Sequence, residues 1–252
     1  MSKTLAGKVA LVTGGSRGLG ATLAETLADQ GADVAITYVT AAEKADAVVG
    51  KLKAKGVRAV AIQSDQADTA AARSLVETVM AHFGRLDILI NNAAIAVQGK
   101  TVDDSGLEAV KLDRQWQINV LGTVAVTRAA APVLTDGGRI IFIGSVLGTH
   151  VPFPGAADYA GTKAAIVGYA KGVARDLGGR NITVNVIQPG VMPTDMAAEV
   201  LGEGVPDSLM NLHVIRRIAT LEEVSALACF LAGPAGSYMT GSVIDISGGL
   251  AI

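Results

Sequence analysis

"TGGSRGLG", residues 13–20, is the stretch on which the fold turns. Taken as Gly14-x-x-x-Gly18-x-Gly20, it is a glycine-rich turn that opens a helix and cradles a phosphate. Taken as Gly14-Gly15-Ser16-Arg17-Gly18, it is the G-x-S-x-G elbow that carries a hydrolase nucleophile. The β-rich run "VALVT" at 9–13 leads into it, and Leu19, Leu23 and Leu27 follow at helical spacing. The local order is strand, glycine turn, helix.

Further runs of the first kind recur along the chain: "DVAIT" at 33–37, "AVAIQ" at 59–63, "LDILIN" at 86–91, "RIIFIG" at 139–144, "ITVNVI" at 182–187 and "SVIDI" at 242–246. Helical patterns separate them, as in Leu75, Val79 and Phe83. Strands apolar at nearly every position are buried on both faces, which requires helices above and below a parallel sheet. The expected fold is a doubly wound α/β sandwich: a seven-stranded parallel sheet in a single domain spanning 1–252. In such sheets ligands bind at the carboxyl ends of the strands, near the switch point beside the first strand. The glycine turn lies there.

A phosphate cradle uses all three glycines. Gly14 takes a backbone angle closed to other residues, Gly18 lets the chain approach a ligand, and Gly20 lets the helix pack on the sheet; the free N–H groups of that helix face a pyrophosphate. The elbow reading explains only Gly14 and Gly18, comes earlier in the chain than hydrolase elbows do, and needs an acid and a histidine from among His82, His150 and His213. The cradle is favoured, although a glycine pattern alone is a weak signal.

Composition narrows the function. The chain is 50% apolar and 17% charged, with a net charge of −2 and scattered lysines and arginines. Nothing forms a basic stripe, so nucleic acid and anionic membrane are not expected partners, and no metal site is expected. The start, Met1-Ser2-Lys3-Thr4, lacks the apolar segment of a secretory signal, and no run is long enough to span a bilayer without a charge or glycine break. The expectation is a cytoplasmic enzyme acting on a small molecule. Cys229 in "LACFLAG" reads as a small core residue. The segment 191–213, with Gly202, Gly204 and Pro206, reads as a partly helical, mobile excursion, favoured as a lid over the site ahead of a plain surface insertion.

The chemistry lies in "YAGTK", 159–163, inside a helical stretch reaching about Leu177. Tyr159 and Lys163 are four apart and share a helical face. Lowering a phenol pKa by roughly three units takes about 4 kcal/mol, and an ammonium about 4 Å away at intermediate dielectric supplies that much. Ser145 ends the fifth strand in "FIGSVLG", where its hydroxyl could bond a substrate oxygen while Tyr159 exchanges a proton with it.

Thr13-Gly14-x-x-x-Gly18-x-Gly20, Asn91-Asn92-Ala93-Ala94, Asn119, Ser145, Tyr159-x-x-x-Lys163 and Pro189-Gly190 together resemble the classical short-chain dehydrogenase/reductase family, a Rossmann architecture, over essentially the whole chain. The resemblance implies that Ser145 orients the carbonyl, that Tyr159 is the general acid in reduction, and that Lys163 lowers its pKa while holding the nicotinamide ribose. It implies that Asn119 in "WQINVLG" holds a water in the proton relay. Cofactor contacts carried over in the same way are Gly14, Ser16, Arg17, Gly18 and Leu19 in the cradle, Thr37 and Tyr38, Asp65 and Gln66, and Asn92, Ala93 and Ala94. Pro189, Gly190, Met192 and Thr194 would flank the carboxamide. Asp65 is equally well explained as a turn residue, and Asp68 better as a helix cap. Two departures stand out: Ala94 occupies a position where the family has glycine, and the loop from Ser145 to Tyr159 is one residue longer than in many relatives.

NAD-preferring folds place a carboxylate at the end of the second strand. Here 37–40 carry no acid, and Glu43 comes too late. Arg17 resembles the family's phosphate-binding arginine, with Thr37 as a second contact, and such a bond is worth about 1.5 to 3 kcal/mol. The expected cofactor is NADP(H), with NAD(H) still open and Arg17 as a solvated turn residue the plain alternative. Pocket walls are expected from 146–157, Ala94 to Val97 and the excursion after Pro189, with Leu147, His150, Phe153 and Met196 beside Ser145 and Tyr159. Mostly apolar walls suit a neutral ketone, aldehyde or secondary alcohol. His150 also reads as a plain loop histidine. β-Ketoacyl-acyl carrier protein reductases are the alternative within the family, placed second because the "LTDGG" connector at 134–138 lacks a basic cluster. A nucleotide-binding regulator that kept the fold is the alternative of another class. The resemblance also implies a homotetramer, built from helices at about 106–131 and 157–177.

Overall fold

The computed structural model describes residues 3–202 and 204–252; Met1, Ser2 and Glu203, which belong to the readings of the N-terminus and of 191–213, lie outside the described residues. Seven strands form one sheet: β1 (Val9–Val12), β2 (Asp33–Tyr38), β3 (Ala59–Gln63), β4 (Leu86–Asn91), β5 (Leu134–Ile143), β6 (Thr183–Pro189) and β7 (Val243–Ile246). Every pairing is parallel, in the order β3-β2-β1-β4-β5-β6-β7. The order reverses between β1 and β4, so their carboxyl ends open a crevice there.

The helices are α1 (Gly18–Asp29), α2 (Ala42–Ala54), α3 (Ala72–Phe83), α4 (Ala109–Trp116), α5 (Thr123–Ala130), α6 (Ala157–Leu177), α7 (Asp195–Leu201), α8 (Asp207–Met210) and α9 (Leu221–Ala232). Strand residues alternate between two cores. Ala10, Val12, Val34 and Ile36 pack with Leu23, Leu27, Val48 and Val224 of α1, α2 and α9. Val9, Leu11, Leu89 and Phe142 pack with Val79, Val126, Ile166 and Val173 of α3, α5 and α6. Each leucine or valine so buried stabilises the fold by about 1.5 to 3 kcal/mol. The edge strands are the exception to burial on both faces: β3 and β7 are only partly covered, because each has one neighbouring strand instead of two. Cys229 is a free, half-buried thiol packed on the first core, and burial pushes its pKa up. No helix among the described residues is long and apolar enough to cross a membrane.

Two expected boundaries are corrected. Residues 134–138 are not a connector: Leu134 already pairs with Leu86, and the register then slips so that Ile88 faces Arg139. Gly137, at φ 76°, makes this irregularity possible, so a stretch rich in turn residues sits inside a strand. The helix expected over 106–131 starts at Ala109 and is interrupted by a π-helical turn, Gln117–Gly122, before α5. Gly122 meets the backbone of Gln66 there, where any Cβ would lie 1.9 Å from its carbonyl oxygen. Other strand bounds agree with the sequence reading to within two residues, and α6 coincides with 157–177.

Candidate active site

The turn after β1 is held from two sides. From β2, the Thr37 hydroxyl accepts from Gly14 N at 2.9 Å, and Thr37 O accepts from Gly15 N at 2.9 Å. From β4, Asn92 N and Ala93 N both donate to the Thr13 hydroxyl at 3.0 Å, while Asn92 Nδ2 donates to Thr13 O at 2.9 Å and to Gly14 O at 3.2 Å. Gly14 sits at φ 66°, a left-handed angle that disfavours any Cβ. Gly20 packs against this turn: a Cβ on it would lie 2.1 Å from Gly14 O and 2.7 Å from Asn92 Nδ2. The third glycine thus seals the cradle itself, whereas the sequence reading assigned it to helix–sheet packing.

Arg17 is the N-cap of α1, in an extended conformation, and no side chain caps the helix. The first-turn residues Gly18, Leu19 and Gly20 line a long cleft, so the positive end of a twelve-residue helix faces that space. Ser16, Arg17, Thr37, Tyr38, Asp65, Gln66, Asn92, Ala93 and Ala94 line the same cleft. Asp65 is the turn residue that one of its two readings expected, and it also lines the cleft. One of its oxygens accepts from Ala67 N at 2.9 Å in a turn, the other from Arg114 Nη2 at 2.7 Å, and together they hold its pKa below the usual carboxylate value. Asp68 caps the 3₁₀ turn Thr69–Ala71, accepting from Ala70 N and Ala71 N.

Arg17 donates to Asp195 Oδ2 at 3.1 Å. Asp195 opens α7, whose cap is Thr194, and both Asp195 and Glu199 line the cleft. The arginine expected in solvent or on a phosphate is therefore tied to an acid on the 191–213 segment. Both partners are more than half exposed, so the pair itself is weak.

At the inner end of the cleft Tyr159 is 8% exposed and Lys163 4%. Burial pushes the Tyr159 hydroxyl up to about 12, and the hydrogen bond with Ser145 pulls the other way. Burial also brings Lys163 down to about 8. Its Nζ donates to Ile143 O at 3.0 Å and lies 5.6 Å from the centroid of the Tyr159 ring. Here burial is the larger influence on the phenol, and the ammonium is bonded to a strand-end carbonyl. The Ser145 hydroxyl accepts from Leu147 N at 3.2 Å, which fixes its direction at the strand end.

Asn119 lies in the π-helical turn, 3% exposed. Its amide clamps the backbone of Ile95: Oδ1 accepts from Ile95 N and Nδ2 donates to Ile95 O, each at 2.9 Å, with a further bond from Nδ2 to Thr162 Oγ1 at 3.2 Å. The side chain anticipated as a water ligand is engaged by the protein. Gln115, four residues earlier, accepts from Val97 N at 2.5 Å. Two amides at helical spacing thus hold the loop after β4, a pairing that the spacing of 115 and 119 could have revealed.

A second, smaller cavity of about 130 Å³ adjoins the cleft, and Tyr159 lines both. Ser145, Leu147, Phe153 and Met196 line it as anticipated, with Gly190, Met192 and Thr194, which were expected beside the carboxamide; Met192 and Thr194 line the cleft as well. Val200, Leu201 and Leu209 come from the excursion after Pro189, as expected of that wall; Gln98, one residue beyond Ala94 to Val97, was not anticipated. Three expected positions fall outside, among them Asn119, which clamps Ile95 instead. His150 lines neither cavity, because the chain after the Val146–Gly148 turn carries it away, bonded through its N–H to Val146 O. Pro189 is buried as the last residue of β6, paired with Ile246. Among the described residues no histidine lines either cavity, which leaves Ser16 without a base and removes the hydrolase reading.

A family model described as enoyl-(acyl carrier protein) reductase matches residues 14–251. A short-chain dehydrogenase from Burkholderia cenocepacia, solved in complex with NADP, is 46% identical and superposes with a TM-score of 0.93, covering 99% of this chain and 100% of that one. The cyclic-di-GMP-binding biofilm dispersal mediator protein of Escherichia coli K12 is 39% identical, with 96% of each chain covered. A 3-oxoacyl-[acyl-carrier-protein] reductase of Staphylococcus aureus is 36% identical, over 96% of this chain and 98% of its own.

Proposed function

Because the chain belongs to the short-chain dehydrogenase/reductase family, we propose that it is an NADP(H)-dependent ketone or aldehyde reductase with Tyr159 as its general acid and base. The observation that carries this reading is the position of Tyr159, shared by both cavities, with Ser145 on its hydroxyl and Lys163 one helical turn away.

The cleft suits a dinucleotide: the uncapped start of α1 and the closed glycine turn fit a pyrophosphate, and Lys163 and Asn92 lie further along the same cleft. Bound there, NADPH supplies a hydride to the carbonyl carbon of the substrate. Ser145 donates a hydrogen bond to the carbonyl oxygen, where negative charge develops. Tyr159 then gives its proton to that oxygen. A phenol held near 12 is fully protonated at neutral pH and ready to donate. Lys163, at about 8, keeps its charge below that pH and offsets the phenolate left behind. Asn119 acts through Ile95, fixing the loop that borders the reacting groups.

Preference for NADP(H) rests on the rim. Tyr38, Val39 and Thr40 line the cleft at the end of β2 without a carboxylate, and Arg17 lines the same cleft. The Burkholderia relative's bound NADP supports the same assignment. The 191–213 segment serves as the substrate lid, supplying Met196, Val200 and Leu209 to the pocket. Exposed Val110, Trp116 and Leu121 on or beside α4 support pairing of these helices in a tetramer, which sedimentation would test.

Turnover of NADPH with a panel of ketones and aldehydes, set beside Tyr159→Phe, tests the mechanism; activity that survives loss of the hydroxyl removes it. The Staphylococcus relative favours a β-ketoacyl thioester as second substrate, to be compared in the same assay. The Escherichia coli relative favours a regulatory reading, and a protein that binds cyclic di-GMP yet turns over no carbonyl would establish that reading instead.

A further inference from the structure

The substrate pocket has one polar side chain with no task. Thr194 caps α7, accepting from Ala197 N at 3.1 Å. Ser145 and Tyr159 face the reacting oxygen. Val191, Met196, Leu209 and Leu250 are among the remaining walls, and they are apolar. Gln98 is what is left, a half-buried residue shared by this lining and that of a neighbouring cavity of about 60 Å³, whose side-chain amide makes no hydrogen bond among the described residues.

Its backbone, by contrast, is pinned on both sides. Val97 N donates to Gln115 Oε1 at 2.5 Å, and Gly99 N donates to Gly155 O at 2.9 Å. Gly155 sits so close to Gly99 that a Cβ on it would come within 3.0 Å of the Gly99 carbonyl carbon, so the loops of 97–100 and 152–156 are stitched together. A free amide on a held backbone is positioned to select a hydrogen-bonding group at little cost in ordering.

We infer that Gln98 binds a second oxygen on the substrate, so that the favoured substrates are carbonyl compounds carrying a neighbouring carbonyl or hydroxyl group, ahead of simple alkyl ketones. The inference rests on the reductase reading above and adds the substrate class to it. A simple ketone fills the apolar walls and leaves the amide to water; an oxygenated one replaces that water with a direct bond. A neutral hydrogen bond of this kind changes relative kcat/KM by about three- to tenfold.

The experiment measures kcat/KM with NADPH for butanone, diacetyl and acetoin in the wild-type protein, Gln98→Leu and Gln98→Glu, with melting curves to verify folding. Comparing ratios between proteins cancels the intrinsic reactivity of diacetyl. The expected result is that Gln98→Leu lowers both the diacetyl/butanone and the acetoin/butanone ratios three- to tenfold. Gln98→Glu, which has lost the amide donor, lowers the diacetyl ratio but keeps the acetoin ratio, because a hydroxyl can donate to the carboxylate. Ratios that are the same in all three proteins overturn the assignment of Gln98 and leave the reductase standing. A wild-type protein that binds NADPH but reduces none of the three, nor any other carbonyl tested, overturns the reductase reading and this inference with it.

Discussion

The two cavities that meet at Tyr159 are built in opposite ways. The cofactor side is a hydrogen-bonded construction in which Thr13, Gly14, Thr37 and Asn92 hold one turn and Gly20 closes it. The substrate side is mostly shape: apolar side chains from Val146–Gly148, α7 and α8 enclose it, and its rim amide is unengaged. Where backbone approaches backbone, a single added methyl forces a shift, and the sequence shows glycine. Where side chains meet a ligand, many apolar residues serve equally well. One side is therefore common to many reactions, and the other decides which molecule reacts.

Breaking the shared wall gives the largest effect. Tyr159→Phe should lower kcat by roughly 10² to 10⁴ while NADPH binding stays within a few fold, a split read from turnover and a fluorescence titration of the cofactor. Gly20→Ala attacks the construction on the cofactor side. Forcing a Cβ against Gly14 O and Asn92 Nδ2 costs about 1 to 3 kcal/mol, so NADPH affinity should fall by about five- to a hundredfold; relative rates among carbonyls should not change. Unchanged affinity would show that the turn yields where the contacts say it is rigid.

The electrostatic differences are smaller. Arg17→Ala should weaken NADPH by about tenfold and leave NADH unaffected in calorimetry, less than a free arginine would give because Asp195 already holds part of its charge. Asp195→Asn should release Arg17 and tighten NADPH by a factor of up to about five, the scale of an exposed ion pair. Lys163 ties the pH response to burial. Its pKa falls from 10.5 to about 8 on folding, so between those values the unfolded chain binds more protons and stability rises with pH. Tyr159 has the opposite sign, rising from 10.0 to about 12, so the gain ends near pH 10. Melting temperature should therefore climb modestly from about pH 8 to 10, while the reductase rate falls as Lys163 loses its charge. Lys163→Met should remove the climb.

The same contrast marks how far the sequence could be read. Seven strands were legible because central strands of a parallel sheet must be apolar on both faces, and the pairing of Tyr159 with Lys163 because four residues make one helical turn. The pairs that needed distant partners were not: Arg17 with Asp195, or Asn119 with Ile95, join segments that no local pattern links. Residues 134–138 were misread because Asp136, Gly137 and Gly138 have turn chemistry that a register slip inside β5 also uses. His150 was misplaced and Gln98 missed for one reason: membership of an apolar pocket is set by where a loop runs after its last fixed residue.

Thr13 and Asn92 lie 79 residues apart, yet they form a single joint between the first strand and the fourth. Each side chain bonds the other's backbone, so a chimera that takes everything before β4 from one relative and the rest from another keeps half of the joint with either the hydroxyl or the amide alone. A crossover beyond β4 leaves the joint whole and is free to exchange 191–213, and with it part of the apolar lining of the second cavity.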